Sequence, residues 1–233
     1  MKSIIKISVR FTLLFIFAFL FYSVAVVFLL KWFDPPTTAF IQSKSTDGFF
    51  APLNSYNDEW KSIDKVSPNF PLAVIASEDQ RFFEHNGFDF DQIEKALKEI
   101  ESGRRFRGAS TITQQVAKNL FLWETKSFIR KGIETYYTVL LELIWSKKRI
   151  LEVYINIAEF GKDIYGIESA SQNYLNKSSE RLTMNEAAIA ASVLPKPLVR
   201  NLSNPSWYMI QRSESIMRHM NNLGGERYLK KNL

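Results

Sequence analysis

The feature that most constrains this chain is a run of 20 uncharged residues near its N-terminus, from Phe11 to Leu30. At about 1.5 Å per residue, a helix of this length matches the roughly 30 Å hydrocarbon core of a bilayer. A secretory signal peptide usually has a shorter apolar run, of about 7–15 residues, followed by a small-residue cleavage site. Here the bulky and charged segment 31–36 follows instead. We therefore predict a retained transmembrane helix over residues 11–31, with a long signal peptide as the alternative.

The charges beside this span predict its orientation. Lys2, Lys6 and Arg10 precede it, and basic residues favour the cytoplasmic side of a membrane. We therefore expect a cytoplasmic tail over residues 1–10 and an exported chain after the span. Trp32 and Phe33 follow it, where interfacial aromatic residues are common. This predicts a single-pass membrane protein whose main domain lies on the side of the membrane away from the cytoplasm.

The charge of the remaining chain argues against nucleic-acid binding. The net charge is +6, from 30 basic and 24 acidic residues. Residues 1–31 hold four basic residues and no acidic one, so 30 minus 4 leaves 26 basic against 24 acidic residues beyond them. A nearly neutral domain lacks the basic surface that nucleic acids require. The chain has no cysteine, which excludes disulfides and cysteine-based zinc sites.

The rest of the chain divides into a linker, one mostly α-helical domain and a tail. Residues 32–69 show little periodicity and are interpreted as a linker with a short strand at Ala39–Gln42. Residues 70–225 form the predicted domain and residues 226–233 a C-terminal tail. Within the domain, the pattern predicts a helix capped by Asp89 and two further helices over Phe128–Trp145 and Ser146–Asn156. A capping box at Thr183–Glu186 precedes a helix that ends before Pro195. A last helix is predicted to begin at Asn204-Pro205 and to end at Gly224-Gly225.

The first cluster that can carry chemistry runs from Glu78 to Asp89. Glu78 ends an apolar helix, and Phe82 follows one turn later. Aromatic neighbours solvate a carboxylate poorly, which raises its pKa and suits it to proton transfer near neutral pH. The structural alternative is an ion pair between Glu78 and Arg81 or a lysine. For His85 we favour a role as a hydrogen-bonded residue that positions the loop.

The second cluster follows a glycine at a predicted helix start. The hydroxyls of Ser110 and Thr111, with the free N–H groups there, form a site suited to an anion such as phosphate. Gln114, Gln115 and Lys118 fall on the next turns. The structural alternative is a capped helix with a polar face.

The same segment has large apolar residues between Phe106 and Trp123, with Arg104, Arg105 and Arg107 interleaved at its start. This composition is typical of a surface that lies against a bilayer. The alternative is a core helix flanked by a basic loop.

The third cluster joins basic residues to a second carboxylate. Arg130 and Lys131 precede Glu134, and Glu142 lies further along the same predicted helix. The cluster therefore offers a second candidate carboxylate, set among basic groups. The structural alternative is an ion pair along one helix face, because Arg130 and Glu134 are four residues apart.

In their order and in their residues, these clusters resemble the motifs of the glycosyltransferase family 51 domain. That domain occurs in bifunctional penicillin-binding proteins and in monofunctional peptidoglycan transglycosylases. The resemblance continues through a fourth motif, made up of Lys148–Asn156, Phe160-Gly161 and Tyr165–Ala170, and through a fifth at Leu182–Pro197. In all, five motifs in the family's order cover about Phe70 to Pro205. One departure is Ala109, where many members have glycine; this resembles the monofunctional branch. Only 28 residues follow Pro205, which we expect to be too few for a transpeptidase domain.

The resemblance implies a lysozyme-like helical fold with a small membrane-associated jaw subdomain, which we place at Phe106–Trp123. It implies polymerisation of lipid II into β-1,4-linked glycan, with the growing chain on undecaprenyl pyrophosphate as the donor and inversion at the anomeric carbon. The expected partners are lipid II, the growing glycan chain and the membrane, with cell-wall synthesis or division proteins as further candidates and no nucleic acid.

The resemblance also implies roles for particular residues. Glu78 matches the family's general base. Glu134 matches its second glutamate, a donor-site residue or a ligand of Mg²⁺ or Mn²⁺. The expected substrate-binding residues are Asp79, Phe82, His85, Ser110, Thr111, Gln114, Gln115, Lys118, Arg130 and Lys131.

Two rival functions make different demands on these residues. A lytic transglycosylase or lysozyme-like hydrolase can share the fold and one glutamate, but it has no use for cations that bind pyrophosphate. A catalytically silent scaffold is expected to have lost Glu78 or Glu134, and both are present.

Overall fold

The computed structural model describes residues 2–44, 59–103, 108–125 and 127–233. The chain forms two compact units, Met1–Pro35 and Pro36–Leu233. The first unit contains helix α1 (Lys2–Leu29). Its segment Lys6–Leu29 has a mean hydropathy of 2.6 and is long and apolar enough to cross a membrane. The helix is therefore consistent with the predicted transmembrane span.

The second unit is mostly helical, which confirms the predicted class. Its helices are α2 (Ala39–Lys44), α3 (Asn69–Glu78), α4 (Phe90–Glu101), α5 (Ile112–Phe121), α6 (Phe128–Ile144), α7 (Lys147–Ile157), α8 (Ile167–Leu175), α9 (Met184–Val193), α10 (Trp207–Leu223) and α11 (Glu226–Asn232). Short 3-10 turns lie at Ile63–Lys65 and Ser179–Arg181. A small antiparallel hairpin, β1 (Glu159–Gly161) and β2 (Ile164–Tyr165), pairs Glu159 with Tyr165 and Gly161 with Ile164.

One half of the core surrounds helix α3. All seven residues from Phe70 to Ala76 are buried, so this helix is apolar on every side. A helix of that kind requires neighbours all round, and α9, α10 and α11 pack against it. Helix α9 contributes a small-residue face in which Ala187, Ala188, Ala190 and Ala191 are fully buried. This packing fixes the C-terminal end of α3, where Glu78 lies.

The other half of the core is built on helix α5, which packs against α2, α6 and α7. Its apolar residues Ile112 and Val116 are fully buried, and Leu120 is 6% exposed. Helices α6 and α7 are capped by Ser127 and Ser146, whose side chains accept from the backbone N–H groups of Arg130 and Arg149. The predicted starts of both helices are therefore confirmed, and so is the capping box at Thr183 and Glu186.

Two local predictions were wrong, and two features were not predicted. Residues 39–44 form helix α2 instead of a strand, because the segment packs on α5 as a helix and Thr38 caps it by accepting from the N–H of Ile41. The hairpin at 159–165 was not predicted. Helix α10 starts two residues later than expected, with Ser206 as its cap, although it ends at Gly224 as predicted. Residues 226–233, expected to be a tail, contain the further helix α11.

The predicted membrane-facing segment also needs correction. Residues 104–107, which hold its three arginines, lie outside the described residues. The described part, 108–123, contains the core helix α5, so the structural alternative fits it better. Exposed apolar side chains of the second unit include Phe90, Leu97 and Ile100 on α4, Phe128 and Ile129 at the start of α6, and Leu198, Val199 and Trp207 elsewhere. Phe128 is 98% exposed.

Candidate active site

Glu78 lies at the C-terminal end of α3, in hydrogen-bond contact with α5. The side-chain amide of Gln115 donates to Oε2 of Glu78 over 3.0 Å. The hydroxyl of Tyr154, on α7, donates in turn to Oε1 of Gln115 over 3.2 Å. Side chains from three helices that are distant in sequence therefore form one series of hydrogen bonds that ends at the Glu78 carboxylate.

Burial controls the protonation of Glu78. It raises the pKa of Glu78 above its ordinary value, because the anion loses hydration. The Gln115 hydrogen bond and the charges of Arg212 and Arg200 oppose this rise, while Asp79 adds to it. The expected ion pair with Arg81 does not form, since Arg81 pairs with Glu84, Asp89 and Asp91. Glu78 is therefore a poorly hydrated carboxylate of raised pKa, as the sequence predicted.

Asp79 ties the loop after α3 to the start of α5. Its Oδ2 accepts from the backbone N–H of Ile112 over 3.0 Å, and its Oδ1 contacts Nε2 of His85 at 2.9 Å. Both side chains are nearly buried. These contacts fit the positioning role favoured for His85, and they give Asp79 a similar role.

Several other predicted binding residues lie inside the protein. Thr111 and Gln114 form the capping box of α5, and the Thr111 hydroxyl also donates to the carbonyl of Gly87 over 2.7 Å. Phe82 is fully buried, with Nζ of Lys147 4.5 Å from the centre of its ring. Ser110, by contrast, is exposed just before α5.

Glu134 carries the third cluster. Its Oε2 accepts from Arg130 over 2.9 Å, and its Oε1 pairs with Lys131. The predicted ion pair along the helix therefore exists, but it is buried: Glu134 is 3% exposed and Arg130 is 9% exposed. Nε of Arg130 is buried with no hydrogen-bond partner in the described part of the chain. This orphaned donor is available to a ligand.

A cavity of about 430 Å³ connects the second and third clusters. Gln115, Lys118 and Arg130 line one side, and the loop from Leu194 to Val199 lines the other. The lining includes the cations Lys44, Lys118, Arg130 and Lys196 and the carboxylates Glu124 and Glu159. Its volume lies within the usual range of ligand sites, and its excess of cations favours an anionic ligand.

Lys118 is a partly buried cation of this wall. Burial lowers its pKa, although the nearby Glu134 charge opposes this effect. Its Nζ lies 6.0 Å from the ring centre of Phe40. A partly buried ammonium gains from an anionic ligand, because the ligand replaces the hydration that the ammonium has lost.

The donor set at Glu134 does not fit a preformed metal site. Both of its oxygens already face Arg130 and Lys131. Mg²⁺ and Mn²⁺ require several oxygen ligands, and two neighbouring cations repel them. Among the described residues, three potential metal ligands converge at Asp79, His85 and Asp89. There, however, Asp79 accepts a hydrogen bond from the backbone at the start of α5. Asp89 accepts from the backbone at the N-terminus of α4 and from Arg81.

Sequence reasoning missed some residues of this region. Tyr154 lies in a recognised motif, but no spacing rule connects it to Gln115, 39 positions away. Phe40 and Lys44 enter the cavity wall because α2 packs on α5, and Lys44 is held there by Glu159 at 2.8 Å. Lys196 precedes a proline in a motif that had no assigned role.

Comparison with known proteins places these features in a family. Residues 47–221 match the sequence model of the family described as Transglycosylase. A biosynthetic peptidoglycan transglycosylase of Shewanella oneidensis is 48% identical over 88% of this chain and 87% of its own length. One of Marinomonas sp. is 50% identical over 91% and 90%. One of Citrobacter koseri is 54% identical over 76% and 73%.

Proposed function

We propose a reaction and a mechanism on the premise that this chain belongs to the transglycosylase family and is a peptidoglycan glycosyltransferase with a lysozyme-like helical fold. The proposed reaction is the polymerisation of lipid II. The growing chain on undecaprenyl pyrophosphate is the donor, and the 4-hydroxyl of an incoming lipid II is the acceptor. The observation that carries the proposal is the partly buried, poorly hydrated Glu78 carboxylate, which Gln115 joins to a cavity rich in cations.

Glu78 acts as the general base. As the 4-hydroxyl oxygen bonds to the anomeric carbon, its proton passes to Glu78 and the bond to the pyrophosphate oxygen breaks with its electron pair. The configuration at that carbon is thereby inverted. The raised pKa of Glu78 supports this role, because a base works best when its pKa lies near the working pH.

Cations stabilise the leaving pyrophosphate. A pyrophosphate needs little protonation to leave, so fixed positive charges are more useful to it than a general acid. Lys118 and Arg130 lie in the cavity wall, and Lys131 is half-exposed beside Glu134. Glu134 holds Arg130 and Lys131 in place through both of its oxygens. We therefore give Glu134 an orienting role at the donor site.

A divalent metal is a separate part of the proposal. Since Glu134 alone is not a metal site, Mg²⁺ or Mn²⁺ would need phosphate oxygens of the substrate as further ligands. No step above depends on the metal. Polymerisation after EDTA treatment, followed by titration with either ion, tests whether the enzyme requires one.

We further propose that α1 anchors the enzyme in the bacterial inner membrane, with its N-terminus in the cytoplasm and the second unit in the periplasm. The apolar length of α1 and the basic residues at its start support this orientation. The exposed apolar residues of α4 and the start of α6 would contact the lipid surface, which brings the site to a membrane-bound substrate. Cell-wall synthesis or division proteins remain expected partners.

Replacement of Glu78 tests the proposed base. Glu78→Gln keeps the size and an acceptor for Gln115 but cannot take a proton. We expect no glycan strands from labelled lipid II, with membrane binding and the thermal unfolding transition retained. Glu84→Gln is the matched control, because Glu84 lies in the following loop with a 58% exposed side chain and should leave polymerisation intact. Polymerisation by Glu78→Gln at the wild-type rate would show that the base is another residue.

A further inference from the structure

We infer that Tyr154 is a positioning residue for the base: its hydroxyl fixes the side-chain amide of Gln115 so that the amide N–H₂ group faces Glu78. This inference rests on the proposed function, in which Glu78 takes the proton of the acceptor hydroxyl. Tyr154 contacts Gln115 and acts through it.

The three side chains come from three separate elements. Tyr154 lies on α7, Gln115 on α5 and Glu78 at the end of α3. The chain of contacts is 3.2 Å from the Tyr154 hydroxyl to Oε1 of Gln115, and 3.0 Å from Nε2 of Gln115 to Oε2 of Glu78. Tyr154 is 2% exposed, and its helix packs directly on α5. Its hydroxyl is therefore held by the core.

The donor and acceptor in each of these two hydrogen bonds follow from the groups at the two ends of the series. An ionised carboxylate can only accept hydrogen bonds, so the Gln115 group that faces Glu78 must be the N–H₂ group. The other end of the amide is then an oxygen, which needs a donor. The Tyr154 hydroxyl supplies it. A reversed amide would place the Gln115 oxygen against the Glu78 carboxylate, where the two acceptors repel each other.

Tyr154 keeps its proton throughout the working pH range. Burial, with the nearby charges of Glu78 and Asp79, raises its pKa well above the ordinary value. The hydroxyl is therefore a constant donor and does not itself titrate when Glu78 does.

The Gln115 contact matters because Glu78 has few other partners. Among the described residues, no other side chain donates a hydrogen bond to Glu78. The charged groups that act on it are Arg212 on α10, Arg200 in the preceding loop and the adjacent Asp79. Arg212 is engaged with the carbonyl of Ser77 at 3.2 Å, and Arg200 with the carbonyl of Ser192. The oriented amide of Gln115 is thus the side-chain group that directly stabilises the Glu78 anion by a hydrogen bond.

The first test is Tyr154→Phe in the full chain. We expect kcat to fall by about 3- to 10-fold, the range of one net hydrogen bond, with KM for lipid II unchanged. We also expect the acidic limb of the kcat profile to move to higher pH by roughly half to one unit. A weaker hydrogen bond to the anion raises the pKa of Glu78, so the base is lost at a higher pH. Loss of packing alone would not move that limb.

Tyr228→Phe is the matched control. The Tyr228 hydroxyl is buried and has no hydrogen-bond partner among the described residues. Its removal should leave both kcat and the pH profile unchanged. A shift in this variant equal to that of Tyr154→Phe would overturn the inference, because the effect would then belong to buried tyrosines in general.

A double-mutant comparison separates action through Gln115 from direct action. Gln115→Met keeps the length of the side chain and removes the amide, and it should move the acidic limb at least as far as Tyr154→Phe. Adding Tyr154→Phe to Gln115→Met should change kcat no further. Multiplied losses in the double variant would overturn the inference. An unmoved limb in Gln115→Met would also overturn it, and this second test holds even if Tyr154→Phe fails to fold. Wild-type polymerisation by Glu78→Gln would instead refute the proposed base itself.

Discussion

Gly87 provides a quantitative test of how tightly the loop after Glu78 packs on α6. Its φ is +85°, and a Cβ built there would lie 2.7 Å from Cγ2 of Thr138 and 3.1 Å from Cγ of Glu142. Thr138 is fully buried, and its hydroxyl donates to the carbonyl of Glu134 over 2.7 Å, so it cannot rotate away without losing that bond. We therefore expect Gly87→Ala to strain both the backbone and the packing.

The cost of Gly87→Ala has two parts. The left-handed conformation costs about 1–2 kcal/mol for a residue with a Cβ, and overpacking typically costs about 1–3 kcal/mol. The free energy of unfolding should therefore fall by roughly 2–5 kcal/mol. Chemical denaturation of the detergent-solubilised protein, followed by tryptophan fluorescence, measures this difference.

Two further variants separate these parts. Gly103 has a φ of +72° with nothing within 4 Å of its Cβ position, so Gly103→Ala should show only the conformational cost. Thr138→Ser removes the clashing methyl group and keeps the hydroxyl, so in the Gly87→Ala background it should recover part of the loss. Equal losses for Gly87→Ala and Gly103→Ala, or no recovery with Thr138→Ser, would refute the packing argument.

Three other predictions follow from the contacts above. Folding raises the pKa of Glu78. The contribution of Glu78 to the free energy of unfolding is therefore fully present below the pKa that it has in the unfolded chain, and it is lost as the pH rises through the pKa that it has in the folded protein. Glu78→Gln should therefore raise the thermal unfolding midpoint at neutral pH, by an amount that vanishes in acid; an equal gain at every pH would contradict this. Thr183→Ala breaks the capping box with Glu186 and should cost about 1 kcal/mol, with polymerisation unchanged; unaltered denaturation would argue against the cap. Replacing Phe128 and Ile129 by serine should weaken binding of a soluble form lacking α1 to lipid vesicles in a flotation assay, whereas unchanged flotation would exclude this surface.

The helices were predictable where one local signal decided them. Asp89 caps α4, and its side chain accepts from the N–H of Gln92, as the sequence indicated. Thr183 and Glu186 likewise begin α9. Residues 39–44 were not predictable from their pattern, because six residues are too few to separate a strand from one helical turn, and packing on α5 decides the outcome.

The candidate site was predictable as a set of residue types but not as an arrangement. The sequence indicated a poorly hydrated Glu78 and a cationic group near Glu134, and both are present. It did not distinguish residues that face the cavity, such as Gln115, from buried ones such as Gln114, because adjacent positions on a helix differ in direction only once the neighbouring helices are known. The contact between Tyr154 and Gln115 was missed for the same reason, since it depends on how α7 packs on α5.

The most direct test of the central claim uses the full-length protein in detergent with two substrates in parallel, labelled lipid II and preformed glycan strands. We predict that lipid II is converted into long glycan strands with release of undecaprenyl pyrophosphate, and that preformed strands keep their length. Shortening of the preformed strands, with lipid II left unpolymerised, would contradict the account and indicate a lytic enzyme on the same fold.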